Sequence, residues 1–289
     1  MPHTSDAPTP GHQPAQLKAR TFNCMGTVVS LAVPAVSVPA APSTQRLSQG
    51  PRPGAHPADD DLAAAAVVER TFRDLDQTFS LYRHDSEASA LARRELALPN
   101  ASAVTRDLFA QALEWRLRTE GAFTPERTDG VLDLSGLVKA HAIREAGTSL
   151  LALGLADWCL NAGGDVLVSG SPGPGSDPWH AGIVDPSDRT ALLAGCHLGK
   201  GRRRRTALAT SGSAERGGHI WSASASGPAF VQVSVLADDI VTADVLATAI
   251  FAGGSSMLDR ATDGWEIDVL AVRTDGQLLA TPGFRAEAA

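Results

Sequence analysis

Cysteine is scarce in this chain: three in 289 residues, Cys24, Cys159 and Cys196. With an odd number, widely separated and with no C-x-x-C spacing, neither a disulfide framework nor a cysteine zinc site is indicated. Free thiols in a reducing compartment are the expectation. Aromatic residues make up only 5%, and Tyr82 is the sole tyrosine. Long hydrophobic runs are missing too. The longest purely apolar stretch, Leu62 to Val68, falls far below the ~18 residues of a membrane span, so no membrane span is expected. There is no basic excess: Lys plus Arg is 25 against 32 Asp plus Glu, a net charge of −7, which argues against non-specific nucleic-acid binding. The first twenty residues carry neither a basic n-region nor an apolar h-region. No secretory or lipoprotein signal is visible, and a cytoplasmic location is expected. The G-x-S-x-G, Walker A, H-E-x-x-H and G-x-G-x-x-G patterns are absent, which removes the enzyme classes they mark.

What is present is an ordinary globular composition, 43% hydrophobic and 20% charged, enough to build a sizeable core. Residues 1–20, rich in Pro, His, Ser and Thr, read as a disordered tail ahead of a domain spanning 21–289. Phe22 to Val33 carries a strand signal, and 34–58, rich in Pro, Ala and Ser, reads as a flexible insertion. Asp59, Asp60 and Asp61 open a helix on whose spacing Leu62, Ala65, Val68, Phe72, Leu75 and Phe79 recur. Further helices are expected over Ala103–Thr119, stopped by Gly121, and over Leu137–Leu153, closed by Gly154. Strands follow: two around a glycine turn in Asp157–Gly170, then Trp179–Val184, Ala207–Thr210 and Phe230–Leu236. A helix over Thr242–Phe251 with Thr242 as N-cap and a hairpin around Asp275-Gly276 close the chain. Helices cluster early and strands late, so the predicted class is α+β with mixed or antiparallel sheets flanked by helices.

Several places could carry chemistry. Asp244 and Thr248 stand four apart and share one helix face. A carboxylate beside a hydroxyl offers the hard oxygens that Mg²⁺ accepts alongside phosphate and water. The alternative is an exposed Asp and a Thr bonded to its own helix. Asn161-Ala-Gly163-Gly164-Asp165 could cradle an anion through its backbone amides or be a plain tight turn. Ala209-Thr210-Ser211-Gly212-Ser213 is a second small-residue turn with the same two readings. Lys139, placed in the first turn of its helix, opposes the dipole unless something anionic lies near; otherwise it is a solvated lysine. His219 beside Gly217-Gly218 could act as an acid or base, or be structural. The run Arg202 to Arg205 reads as a solvated loop.

In order along the chain, these segments resemble the FAD:protein FMN transferases, the ApbE or flavin-trafficking family. The resemblance runs from Phe22 to about Gly253. It is carried by Met25-Gly26-Thr27, the S-x-Y-x-x-x-S-E pattern of Ser80 to Glu87, Gly121-Ala122-Phe123, and D-x-x-G-x-x-K from Asp133 to Lys139. Further along it rests on Asn161-to-Asp165 (NAGGD), Gly182-to-Pro186, Ala209-to-Gly212 (ATSG), Glu215-Arg216 with His219-Ile220, and Ala243-Asp244 with Ala247-Thr248-Ala249. The resemblance implies a single T-fold-related domain of compact type. It also implies an FAD site formed by Met25, Tyr82, Ala122, Phe123, Asp133 and Lys139, with Gly163, Gly164, Ser211 and His219 lining it. Mg²⁺ would be held by Asp244, Thr248 and a backbone oxygen at Gly136. The implied reaction moves FMN from FAD onto a threonine hydroxyl of an acceptor protein with an FMN-binding domain, releasing AMP, with His219 as the base and Asp244 essential. FAD pyrophosphatase activity and non-catalytic FAD binding are the alternatives. The chain departs from the pattern at Thr124, usually Asp; at Ala140, usually Gly; and in the loop Trp221 to Gly227.

Overall fold

The computed structural model describes residues 16–35, 57–173, 175–199, 205–212 and 228–288. Ten strands and six helices follow in the order β1 (Leu17–Cys24), β2 (Thr27–Pro34), α1 (Pro57–Phe79), α2 (Glu87–Ala92), α3 (Ala103–Arg118) and α4 (Ser135–Ala152). Then come β3 (Trp158–Ala162), β4 (Asp165–Ser169), β5 (Trp179–Val184), β6 (Leu192–Leu198), β7 (Ala207–Gly212) and β8 (Phe230–Ala237). The chain ends with α5 (Ile240–Gly264), β9 (Asp268–Arg273), β10 (Leu278–Ala280) and α6 (Pro282–Glu287).

Eight strands form one sheet in the order β1-β2-β3-β4-β7-β8-β9-β10, antiparallel throughout. The sheet therefore follows chain order, with α1 to α4 inserted between β2 and β3, the β5–β6 hairpin between β4 and β7, and α5 between β8 and β9. Side chains alternate across it. One face, with Val29, Leu31, Leu160, Ala209, Val233 and Val235, packs against α1, α4 and α5. The other, with Val166, Val168, Leu208, Leu236 and Leu270, is covered by Trp179, Ala181, Ile183, Cys196 and Leu198 of the hairpin and by Phe284. This is the expected α+β arrangement, built as helices, sheet and hairpin in three layers.

The sequence boundaries shift in places. Residues 17–20, read as tail, pair with β2 over the register Leu17↔Pro34 to Arg20↔Leu31. In α1 the buried stripe is Ala64, Val68, Phe72, Leu75 and Phe79, whereas Leu62 is exposed. Thr242 does not cap α5. Asp239 does, its Oδ2 accepting from Thr242 N at 2.9 Å and from Thr242 Oγ1 at 3.1 Å. Nor does α5 stop at Phe251: it bends at Gly254 (φ 69°) and runs to Gly264. By length and apolar composition α5 would suit a membrane, but two thirds of its most apolar window is buried in the core.

Arg205 is not in a solvated loop. It is 1% exposed, and its Nε donates to Asp268 Oδ2 at 2.8 Å while Nη1 reaches Asp238 Oδ1 at 3.2 Å. Arg202 to Arg204 lie outside the described residues, as do His219 and Trp221 to Gly227. No disulfide is formed among the described residues. Burial pushes the Cys159 thiol up to about 12, so it is inert as a nucleophile.

Candidate functional site

The glycine turn comes first in the geometry. Gly163 (φ 64°) and Gly164 (φ 94°) are both left-handed, as a two-residue type I′ hairpin loop requires, and Ala162↔Asp165 closes the ladder. A Cβ on Gly163 would lie 2.4 Å from Thr27 Oγ1, so this glycine lets the β1–β2 turn press against the β3–β4 turn. Both amides are spent inside the protein: Gly163 N donates to Val28 O at 3.1 Å and Gly164 N to Asn161 Oδ1 at 2.9 Å. That corrects the anion-cradle reading of Gly163 and Gly164; their role is to bring two turns together.

Asp165 follows as the first residue of β4, completely buried and on the helix-facing side. Lys139 Nζ reaches its Oδ2 at 2.5 Å, and Thr210 N donates to its Oδ1 at 3.1 Å. Lys139 is thus no solvated lysine, its side chain being 16% exposed. Because α4 begins at Ser135, Lys139 lies just beyond the first turn, and the anion that its position called for is Asp165. Sequence reasoning quoted this aspartate as part of a turn and gave it no role. The available signal was an acid directly after a glycine turn and ahead of the apolar run Val166-Leu167-Val168.

Ser211 was placed in a turn, but β7 continues through Gly212, so Ser211 is a strand residue. The strand alternation points it at α5, where its hydroxyl lies 3.0 Å from Thr248 Oγ1. Asp244, one helical turn before Thr248, is fully buried. The alternative of an exposed Asp and a Thr turned back onto its own helix is therefore set aside. The donor set here is a carboxylate and two hydroxyls. No group of three or more His, Cys, Asp or Glu exists among the described residues, so a soft-metal site is not offered there. Hard oxygens that leave positions for water and phosphate suit Mg²⁺, and the residues present fit that ion.

The other expected flavin residues lie on several different segments of the chain. Ala122 stands against the bend of α5: a Cβ on Gly253 would meet Ala122 Cβ at 3.2 Å. Phe123 is buried in the core at 4% exposure, so its ring packs the interior instead of lining an open surface. Asp133 Oδ1, one residue before the Leu134 N-cap, accepts from Ser135 N at 2.9 Å and so satisfies the first amide of α4, with Gly136 in the turn that follows. Thr124 accepts from Glu126 N at 3.2 Å through its hydroxyl. Met25 adopts a positive φ (50°) at the β1–β2 turn and packs at the edge of the core. Tyr82 stands apart from the hydrogen-bonded centre. It is 91% exposed in the loop after α1, a ring open to a partner and not a core tyrosine. Arg83 beside it is held by Asp76, with Nε to Oδ2 at 2.8 Å.

Known proteins resemble this chain in family and in fold. The model of the ApbE family matches residues 125–269. A FAD:protein FMN transferase from Rhodobacter capsulatus is 36% identical over 166 residues, which cover 54% of this chain and 30% of the relative, so the chain accounts for under a third of that protein's length. Among solved structures, an ApbE protein from Thermotoga maritima superposes with a TM-score of 0.70 at 21% identity, over 94% of this chain and 99% of the other. The flavin transferase ApbE from Vibrio cholerae superposes with a TM-score of 0.69 at 20% identity, over 95% and 100%. At such identities the superpositions establish the fold.

Proposed function

The chain belongs to the ApbE family, and from that membership we propose that it is a Mg²⁺-dependent FAD:protein FMN transferase acting on a threonine of an acceptor flavoprotein. The observation that carries the reading is a convergence. Four chain segments, α4, β4, β7 and α5, meet on the helix-facing side of one end of the sheet. They contribute the Lys139–Asp165 pair, the Thr210–Asp165 bond and the Ser211–Thr248 contact, with Asp244 one turn away.

In this reading the threonine hydroxyl attacks the FMN-side phosphorus of the pyrophosphate, the P–O bond to AMP breaks, and the hydroxyl proton passes to a base. Asp244 and Thr248, with a backbone oxygen at Gly136, would hold the ion. When bound, Mg²⁺ offsets charge on the pyrophosphate and the departing AMP. Lys139 is held in place by its ion pair with Asp165, and its N–H donors would face phosphate oxygens from that fixed position. Tyr82 offers an exposed ring for the flavin to stack on. His219 is the base by family position alone.

The test is to incubate the protein with FAD, Mg²⁺ and an FMN-binding acceptor domain. A fluorescent covalent band with equimolar AMP is expected. It should be lost when the acceptor threonine is replaced and in Asp244→Ala. Equal FMN release with and without acceptor would replace the reading with a FAD pyrophosphatase. Binding of FAD without either reaction would leave a flavin-binding protein.

A further inference from the structure

The outer face of the β5–β6 hairpin carries two histidines that the flavin reading does not use. His180 and His197 are directly opposite in the antiparallel register. Their neighbours Trp179, Ala181, Cys196 and Leu198 point inward to the sheet, so strand alternation turns both imidazoles outward. His180 is exposed and His197 half-buried. Their ring centroids are 4.2 Å apart with the planes at 74°. Among the described residues neither imidazole has a hydrogen bond or ion pair.

We propose that His180 and His197 form a two-imidazole site for a borderline transition-metal ion, tightest for Cu²⁺ and weaker for Zn²⁺ and Ni²⁺. The ligand type selects the metal: imidazole nitrogens suit Cu²⁺, Zn²⁺ and Ni²⁺, and the affinity order puts Cu²⁺ first. The geometry needs no backbone movement. Two nitrogens each ~2.1 Å from the ion are about 3.0 Å apart in adjacent positions of the tetragonal geometry that Cu²⁺ prefers, and about 3.4 Å apart around tetrahedral Zn²⁺. The two rings are directly opposite and in contact, at 4.2 Å between centroids, so rotation about their side-chain bonds can converge the nitrogens on one ion. With only two protein ligands, water fills the remaining positions. The site is distinct from the Asp244–Thr248 centre in place and in chemistry. It lies on the hairpin layer, with the eight-stranded sheet between, and it presents nitrogen where Mg²⁺ requires oxygen. A bound ion would tie β5 to β6 outside their backbone ladder.

The experiment uses the full chain without an affinity tag, stripped of metal, at pH 8, where imidazole is neutral and able to ligate. Cu²⁺ and Zn²⁺ are titrated calorimetrically into the wild type, His180→Ala and His197→Ala, with saturating Mg²⁺ present throughout. The expected result is one Cu²⁺ equivalent in the wild type that is absent, or at least tenfold weaker, in each variant, and nitrogen hyperfine structure in the electron paramagnetic resonance spectrum of that equivalent. Zn²⁺ should raise the wild-type melting temperature and leave that of His180→Ala unchanged. Because His180 is exposed, its variant folds even if His197→Ala does not. Equal stoichiometry and affinity in wild type and His180→Ala would overturn the proposal, as would a first Cu²⁺ equivalent without nitrogen ligands.

Discussion

Removing the carboxylate of Asp165 tests the centre most directly. Asp165 is completely buried and Lys139 is 16% exposed, so each charge depends on the other. Breaking a buried pair by removing one partner costs about 3–5 kcal/mol, because the remaining charge is left uncompensated. Asp165→Asn belongs at the lower end. The amine of Lys139 retains some access to water, and the new amide oxygen still accepts from Thr210 N, a bond whose loss would add about 1 kcal/mol. Lys139→Met belongs at the upper end, since it strands a carboxylate that no water reaches. At roughly 2–4 °C per kcal/mol for a chain of this size, the two substitutions should lower the melting temperature by about 6–12 °C and 10–20 °C. The double variant should recover part of this loss, because a neutral amide beside a thioether leaves no charge buried. A coupling of at least about 2 kcal/mol is expected between the sites. Urea unfolding of the four proteins supplies the cycle, and an unchanged m-value keeps the comparison valid. Losses below about 0.5 kcal/mol for both single variants, or strict additivity, would refute the view that Asp165 neutralises and aims Lys139.

Two more outcomes follow from the geometry. Gly163→Ala puts a methyl group on a left-handed residue and 2.4 Å from Thr27 Oγ1, so a loss of about 2–4 kcal/mol is expected in thermal unfolding, partly restored by adding Thr27→Ala. Burial, opposed by Glu145 and reinforced by Arg144, holds His141 below its ordinary value of 6.5. The unfolded chain therefore takes up the proton first, and this contribution to stability is complete above about pH 6.5 and lost as the pH falls through the folded value. The urea midpoint should drop between pH 7 and 5 in the wild type and less so in His141→Gln.

The strands were legible where period two survived burial. β3, β4, β5 and β8 sit within a residue or two of their predicted spans because β-branched and apolar residues there are bounded by glycine or proline. β6 was missed: Leu-Leu-Ala-Gly-Cys-His-Leu reads as neither period, and only its pairing with β5 defines it. Capping failed at α5 because Asp239 and Thr242 are both good caps, and the choice rests on where the backbone leaves β8, which no local pattern encodes. Arg205 was misread for a related reason. Its charged neighbours suggested water, while its partners Asp238 and Asp268 lie 33 and 63 residues away. In the site, the Asp244–Thr248 face was visible from helical spacing alone. Ser211 was found for its type and misplaced in a turn, since ATSG looks like loop material until β8 pairs with it.

The Lys139–Asp165 contact shows why such a site resists sequence reading while its ingredients do not. A lysine near a helix start announces that an anion is needed, but 32 acidic residues could supply it. Three local facts narrow the choice only after the sheet is known. The glycine hairpin starts β4 at Asp165, the alternation of β4 turns that residue to the helix side, and α4 crosses there with Lys139 toward the sheet. The same constraints limit what else Lys139 can do. Its amine cannot leave Asp165 for a distant ligand without exposing a buried carboxylate, at several kcal/mol. In the proposed reaction a phosphate would have to come to the lysine where it stands, beside β4. Position, more than charge, is what this pair would supply to the pyrophosphate of the proposed reaction.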